Sequence, residues 1–227
     1  MNVQATLKEN IVKPAPVSSL NVVDTLFLFV VSEWIKDSLG RPAPVNYAEL
    51  VAVLDETRRG AGLRTAEATF AAAAVDPLSD SQKRFVDALA RAKITVEPVD
   101  YRHAYVSSPR SALGERAEHP VSTLSPHLCY VLGLLAGRPQ PQTMVVTGSF
   151  DVYRPLIDFT TKERGGKAAL AFFKRFLDPR WLQVGLFEAD FSIRWVDLEP
   201  YATRLLGVEL PTAMPTVYMA SRGLASI

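Results

Sequence analysis

The chain of 227 residues is long enough for one large domain or two small ones, and with 48% of them apolar it can bury a sizeable core. Its 25 basic side chains are balanced by 24 acidic ones, which excludes a global field for nucleic acid; any basic footprint has to be local. A single cysteine, Cys129, excludes an intrachain disulfide and suits a reducing, cytoplasmic compartment, and with three histidines it is too little for a Cys/His zinc site.

Residues 1–19 mix polar side chains with Pro14 and Pro16 and read as a flexible N-terminal arm without a signal-peptide pattern. The run Thr25 to Val31 is apolar, aromatic and β-branched, which predicts a buried strand; Leu26 to Val31 is far too short to span a bilayer, so no membrane is expected. Asn46 caps a predicted helix from Tyr47 to Arg59, with Leu50, Val53 and Leu54 on one face and Gly60 and Gly62 beyond it. Ala68 to Ala74 is Ala-rich yet sized and flanked like a strand. Ser79 caps a helix through Ala92 that points Phe85, Val86 and Leu89 inward, and Ile94 to Val99 is a strand by its β-branching.

Ser107 to Pro120 is a polar loop with Arg110, Arg116, His103 and His119 nearby. Ser125 and Pro126 read as a helix start, and the following helix, His127 to Ala136, is apolar nearly all round and expected deep in the core. Thr143 to Thr147 is the clearest strand and enters the turn Gly148-Ser149; a helix follows from about Val152 to Glu163. Ala168 to Phe173, a stretch around Leu182 to Phe187 and another around Phe191 to Val196 complete the strands. Residues 210–227 read as a flexible C-terminal tail, which leaves 20–209 as one α/β domain. Strands alternating with helices predict a mainly parallel sheet with helices on both faces, whose functional crevice lies beyond the carboxyl ends of the strands.

The residues expected at those ends carry a resemblance. Thr147-Gly-Ser-Phe-Asp-Val-Tyr-Arg-Pro-Leu-Ile157 resembles the Thr-Gly-Asp-x-Asp-Phe-x-Pro-Leu motif of the NYN branch of the PIN-like nucleases. Phe29 to Ile35 resembles that family's strand ending Asp-Gly-Glu-Asn, Leu124 to Leu128 falls where the family has an aspartate opening an apolar helix, and Gly165 to Phe173 resembles its next strand. The resemblance covers roughly residues 25 to 195 and implies a single Rossmann-like domain of metal-dependent nuclease ancestry, in which carboxylates hold divalent cations. At the corresponding positions this chain has Ser32, Ser125 and Ser149; only Glu33 and Asp151 keep the family's acids. Neutral hydroxyls do not gather a dication, so the expected site is degenerate, with no catalytic residue, no bound metal and no cofactor.

Each of these residues also has a plainer role. Asp151 suits a helix start, Ser149 a tight turn, and Ser125 a helix cap. Ser149 lacks a Gly-x-Ser-x-Gly setting, His103 and His119 are loop residues with no visible partners, and His127, a candidate base or ligand, reads first as a hydrogen-bonded structural residue beside an apolar helix. Cys129 on an apolar helix reads as a small buried hydrophobe, and Trp34, Trp181 and Trp195 as core or interface anchors. The densest basic stretch, Lys162, Arg164, Lys167, Lys174 and Arg175, is a candidate for phosphate or partner contacts beside its plain reading as a solvated surface.

Three functions follow as expectations. The first is an inactive PIN/NYN-like pseudonuclease that binds a protein as a regulator or inhibitor, for instance one encoded by a mobile element. The second is a metal-dependent nuclease with a rearranged acidic site of Asp24, Glu33, Asp151 and Asp158, against which Asp24 is expected at the wrong end of its strand. The third is a non-catalytic nucleic-acid-binding protein using Lys162 to Arg175.

Overall fold

The computed structural model describes residues 17–37, 39–74, 80–99, 124–162, 165–178, 180–183 and 193–210. The first strand, β1 (Ser19–Val23), is buried along its whole length although it carries a serine and an asparagine. Those polar groups are tolerated because partners reach them. Asn21 Nδ2 donates to Thr69 Oγ1 at 3.1 Å, and the Arg58 guanidinium donates to Leu20 O at 2.9 Å, to Asn21 Oδ1 at 2.6 Å and to Ser19 Oγ.

The apolar run expected as the first strand is instead helix α1 (Thr25–Trp34), capped by Asp24, whose Oδ1 accepts from Phe27 N at 3.0 Å. The burial pattern gives the reason. Phe27, Leu28 and Val31 are fully buried while Phe29 between them is 59% exposed. In a strand Phe27, Phe29 and Val31 would share one face; only the helical period separates them.

Helix α2 (Tyr47–Gly60) starts where expected, with Asn46 Oδ1 accepting from Glu49 N at 3.2 Å. Strands β2 (Ala68–Ala74) and β3 (Ile94–Val99) flank helix α3 (Asp80–Arg91). The alanines of β2 sit in a strand against their helix propensity because β1 and β3 pair with it on both sides. Helix α4 (Leu124–Leu135) begins before Ser125, which therefore lies inside its first turn rather than at its cap. Leu128, Val131, Leu132 and Leu135 of α4 are buried, but Tyr130 is 54% exposed and Cys129 is exposed too, so α4 is a half-buried surface helix and Cys129 is not a core residue.

Strand β4 (Gln142–Val146) leads through a 3₁₀ turn, Phe150–Val152, into α5 (Tyr153–Lys162), and β5 (Lys167–Phe172) follows. A second 3₁₀ turn, Lys174–Phe176, precedes α6 (Arg180–Gln183), which is a helical turn where the sequence reading has a strand from about Leu182; residues 184–192 lie outside the described ones. Strand β6 (Ile193–Asp197), a 3₁₀ turn at Glu199–Tyr201 and α7 (Ala202–Leu206) close the described chain. The expected Ser79 cap, the loop of Ser107 to Pro120 with His103, Arg110, Arg116 and His119, and both ends of the chain, 1–16 and 211–227, also lie outside it.

All six strands form one parallel sheet in the order β3-β2-β1-β4-β5-β6. This is an α/β, Rossmann-like fold with two apolar layers. Asn21, Val23, Ala71, Met144, Val146, Ala169 and Ala171 face α1, α2, α3 and α7, whereas Leu20, Val22, Phe70, Val145, Leu170 and Phe172 face α4, α5 and Trp181. Chain order runs outward in both directions from β1 and β4. Their shared carboxyl end is the switch point, where sheets of this kind place their ligands.

Candidate functional site

Three strand exits converge on that edge: Asp24 after β1, the turn Thr147 to Asp151 after β4, and Phe173 to Arg180 after β5. The parallel ladder runs one residue past the strands, with Asp24 N donating to Val146 O and Thr147 N to Ala171 O, both at 3.0 Å. Asp24, expected before the first strand and at the wrong end of the sheet, thus stands at the carboxyl edge. It is 7% exposed. Its Oδ1 caps α1, and its Oδ2 accepts from Thr147 Oγ1 at 2.7 Å. Thr147 Oγ1 in turn accepts from Ser149 N at 3.0 Å, so one hydroxyl ties the two halves of the sheet together across the switch point.

The crevice is closely packed at Gly148. Gly148 lies against Phe27 and the backbone of Phe176, both fully buried; a Cβ there would stand 2.2 Å from Phe176 O and 2.7 Å from the Phe27 ring. Asp178 N donates to Gly148 O at 2.9 Å, which pins the β5 exit over the β4 turn. A nucleotide phosphate entering at the N-terminus of α1 would meet a capping carboxylate where phosphate-binding sites offer free N–H groups.

Beside this plug, the remaining acids are held by an arginine. Arg180 Nε lies 3.1 Å from each Asp178 oxygen, its Nη2 donates to Asp178 Oδ2 at 2.7 Å, and the same Nη2 is 3.7 Å from Asp151 Oδ1. The Asp178 carboxylate raises the guanidinium above its already high ordinary pKa. Asp178 is 2% exposed. The guanidinium also lies 4.8 Å above the Phe150 ring. Phe150 and Tyr153 stack at 5.0 Å, and both meet the buried Trp181 edge-on. Trp181 Nε1 donates to Ser149 O at 3.2 Å, and Ser149 Oγ accepts from Asp151 N at 3.2 Å as the cap of the 3₁₀ turn.

Of the residues singled out from sequence, Ser149 and Asp151 belong to this edge. Ser32 and Glu33 do not, because α1 carries them roughly 12 Å down the helix axis from Asp24. Ser32 Oγ donates to Ala43 O at 2.6 Å, and Glu33 is exposed, 4.0 Å from Lys36. Ser125 lies in the first turn of α4, which packs on the turn Phe150–Val152; its side chain and that of His127 are outside the described ones. Asp158 sits along α5, paired with Arg154 and Lys162, so the rearranged set keeps only Asp24 and Asp151 at the edge.

The basic stretch is not one patch. Lys162 ends α5 and Lys167 begins β5 at the amino edge, whereas Lys174 and Arg175 follow β5 at the carboxyl edge, about 20 Å away. Arg175 pairs with Glu199 at 3.5 Å, and Arg164 lies outside the described residues. Sequence reasoning missed Thr147, Asp178 and Arg180 as members of the edge. An aspartate directly before an apolar run is a cap signal that could have placed Asp24.

A divalent cation of the kind the PIN-like resemblance implies does not fit this edge. It needs several anionic oxygens turned to one point. Here Asp24 is engaged by α1 and Thr147, Asp178 by Arg180, and Ser149 Oγ, a neutral oxygen, by a backbone N–H. Among the described residues no three His, Cys, Asp or Glu side chains are grouped to hold a metal ion, and no helix is long and apolar enough to cross a membrane.

The fold and this edge define a Rossmann-like α/β protein in which, among the described residues, Phe27 and the Phe176 backbone pack against Gly148 at the switch point and Arg180 pairs with Asp178 and Asp151. No protein-family model matches the chain, and no curated protein or solved structure matches it either.

Proposed function

We propose that the chain is a catalytically inactive, PIN/NYN-like pseudonuclease that acts by binding a protein, as a regulatory or inhibitory module. The observation that carries this reading is the engagement of Asp24, Asp151 and Asp178 by groups of the protein itself, with a serine, Ser149, beside them in the turn. Phosphodiester cleavage of the PIN-like kind requires carboxylate oxygens that are free to hold metal ions. Binding in place of turnover is supported by Phe29 on α1 and Tyr130 on α4, large side chains more than half exposed on helices that cover the two faces of the sheet.

The test is incubation of the purified chain with single-stranded RNA and DNA in Mg²⁺ or Mn²⁺. No cleavage above buffer is the expected result. Cleavage that Asp151→Asn or Asp24→Asn abolishes would overturn the proposal in favour of a second reading, a nuclease with a rearranged acidic site. That second reading is favoured by one observation: Asp24 shares the carboxyl edge with Asp151 and Asp178. It also requires Arg180 to release both of its carboxylates. The nucleic-acid-binding reading loses its footing, since β5 carries the two ends of the basic stretch to opposite edges.

A further inference from the structure

We propose that the amino edge of the sheet, opposite the edge described above, is a cationic face that docks a carboxylate-rich segment of a protein partner. The proposal rests on the protein-binding reading and names the chemistry of what is bound.

In a parallel sheet all strands enter at one edge, and the helices that cross back end there. The stretches at those entrances are 59–67 from the end of α2 towards β2, 91–94 from α3 into β3, 136–142 from α4 into β4, and 165–168 at the start of β5. They carry Arg59, Arg64, Arg91, Lys93, Arg138 and Lys167, all exposed. The one acid among them, Glu67, accepts from Ser18 N at 3.2 Å and Ser18 Oγ at 2.7 Å. The chain as a whole sets 25 basic side chains against 24 acidic ones, so the excess is local to this edge.

Contacts hold the entrances together. Arg64 Nη2 donates to Gln140 O at 2.8 Å, which links the entrances of β2 and β4 on either side of β1. Lys167 N donates to Pro141 O at 3.0 Å. The fully buried Arg58, whose Nε donates to Arg64 O at 2.5 Å, adds a charge behind the face. From β3 to β5 the edge crosses four inter-strand steps, which is about 20 Å.

Pairing separates these cations from the others. Arg41, Arg154, Arg175, Arg180 and Arg204 each lie within 3.5 Å of a carboxylate oxygen. Among the described residues no carboxylate pairs with the exposed cations of the amino edge. A last-turn cation that complements the helix dipole accounts for Arg59 on α2 and Arg91 on α3. Arg64, Lys93, Arg138 and Lys167 lie beyond the helices, and that account does not reach them. Like charges gathered without counter-charges attract a complementary surface. An extended acidic segment of about six residues spans the face. Single-stranded nucleic acid is the other polyanion of this width, but proteins hold it with aromatic rings under the bases as well as with cations. These stretches contain no aromatic residue, whereas guanidinium and ammonium groups suffice for carboxylates.

The experiment measures fluorescence anisotropy of labelled poly-L-glutamate, about 20 residues long to cover the face, with the full chain. A labelled oligodeoxythymidine of matching charge is run beside it. The edge triple variant is Lys93→Gln/Arg138→Gln/Lys167→Gln. A control, Arg154→Gln/Lys174→Gln/Arg204→Gln, removes the same charge elsewhere. The natural protein is expected to bind poly-L-glutamate at low salt and to release it at about 1 M salt, where the screening length is about 3 Å. The edge triple is expected to bind about tenfold more weakly and the control less than about twofold. If the edge triple is unfolded by circular dichroism, the single variants Arg138→Gln and Lys167→Gln replace it, each expected to weaken binding about twofold.

No binding of poly-L-glutamate by the natural protein overturns the proposal, as does an equal loss in the control, which would trace binding to net charge. Tighter binding of the oligodeoxythymidine, lost in the edge triple, also overturns it, by giving the face to nucleic acid. Cleavage of nucleic acid with poly-L-glutamate binding intact counts against the inactive reading alone.

Discussion

Thr147 Oγ1 donates a 2.7 Å hydrogen bond to Asp24 Oδ2 across the point where the strand order reverses, joining residues 123 positions apart in the chain. One hydroxyl thereby neutralises part of a buried carboxylate, accepts from Ser149 N and ties the exit of β4 to the start of α1. Thr147→Val keeps the shape and removes the donor. It is expected to destabilise the fold by about 1–3 kcal/mol, the cost of leaving a buried charged acceptor short of one bond. Urea denaturation followed by tryptophan fluorescence measures it. An unchanged midpoint would mean that Asp24 does not depend on the Thr147 hydroxyl for its stabilisation.

Gly148 is required for space rather than for backbone freedom. A Cβ would lie 2.2 Å from a backbone oxygen of Phe176, which cannot rotate away as a side chain could. Gly148→Ala is expected to cost about 1–3 kcal/mol or to prevent folding, through overpacking at the plug. By contrast, Gly60→Ala meets nothing within 4 Å and is expected to be neutral or stabilising. Midpoints for the two variants, measured side by side, make the comparison.

Arg58 is fully buried and donates to four oxygens, of Ser19, Leu20, Asn21 and Arg64. Burial lowers its pKa to about 10, which leaves it charged at neutral pH. Arg58→Met removes every one of these donors at the amino end of β1 and is expected to cost about 3–5 kcal/mol. Arg58→Lys is expected to recover only part of that, because an ammonium lacks the fork. Chemical denaturation of both variants decides whether the guanidinium fork or the charge matters more.

Tyr47 opens α2 with its ring edge-on to Phe85, and burial pushes its phenol up to about 12. The folded state then holds the phenolic proton while the unfolded chain releases it near the ordinary value of 10. The stability tied to the neutral phenol is complete below about pH 10 and is lost as the pH rises from there toward 12. Arg58 works in the opposite sense over the same window, since its folded pKa lies below the unfolded one. Tyr47→Phe is therefore expected to lose less stability than the natural protein between pH 8 and about pH 11. Denaturation midpoints at the two pH values test the sign.

Some of this architecture is legible in the residues alone. Ala68 to Ala74 and Ile94 to Val99 occupy the strands expected of them, Asn46 caps the helix expected of it, and the strand expected over Thr143 to Thr147 is there one residue earlier, as Gln142–Val146. Local signals suffice there because period, length and turn chemistry agree. They conflict between Ser19 and Val31. The true strand is short and half polar, and it is acceptable in the core only because Arg58 and Thr69, distant in sequence, arrive to bond it. The longer apolar run beside it has the composition of a strand but the burial period of a helix, and that period shows only once the sheet has chosen which face to cover.

The sequence by itself determined the class of fold, because alternating short apolar and amphipathic segments have few ways to bury both faces of a sheet. It also determined that Ser149 stands two residues before Asp151 in the turn after β4. Only the tertiary structure decided the edge. Asp24 meets Thr147, and Asp151 meets Arg180, through strand order and not through spacing, and whether a carboxylate awaits a cation or already has one depends on which side chain the fold brings opposite it.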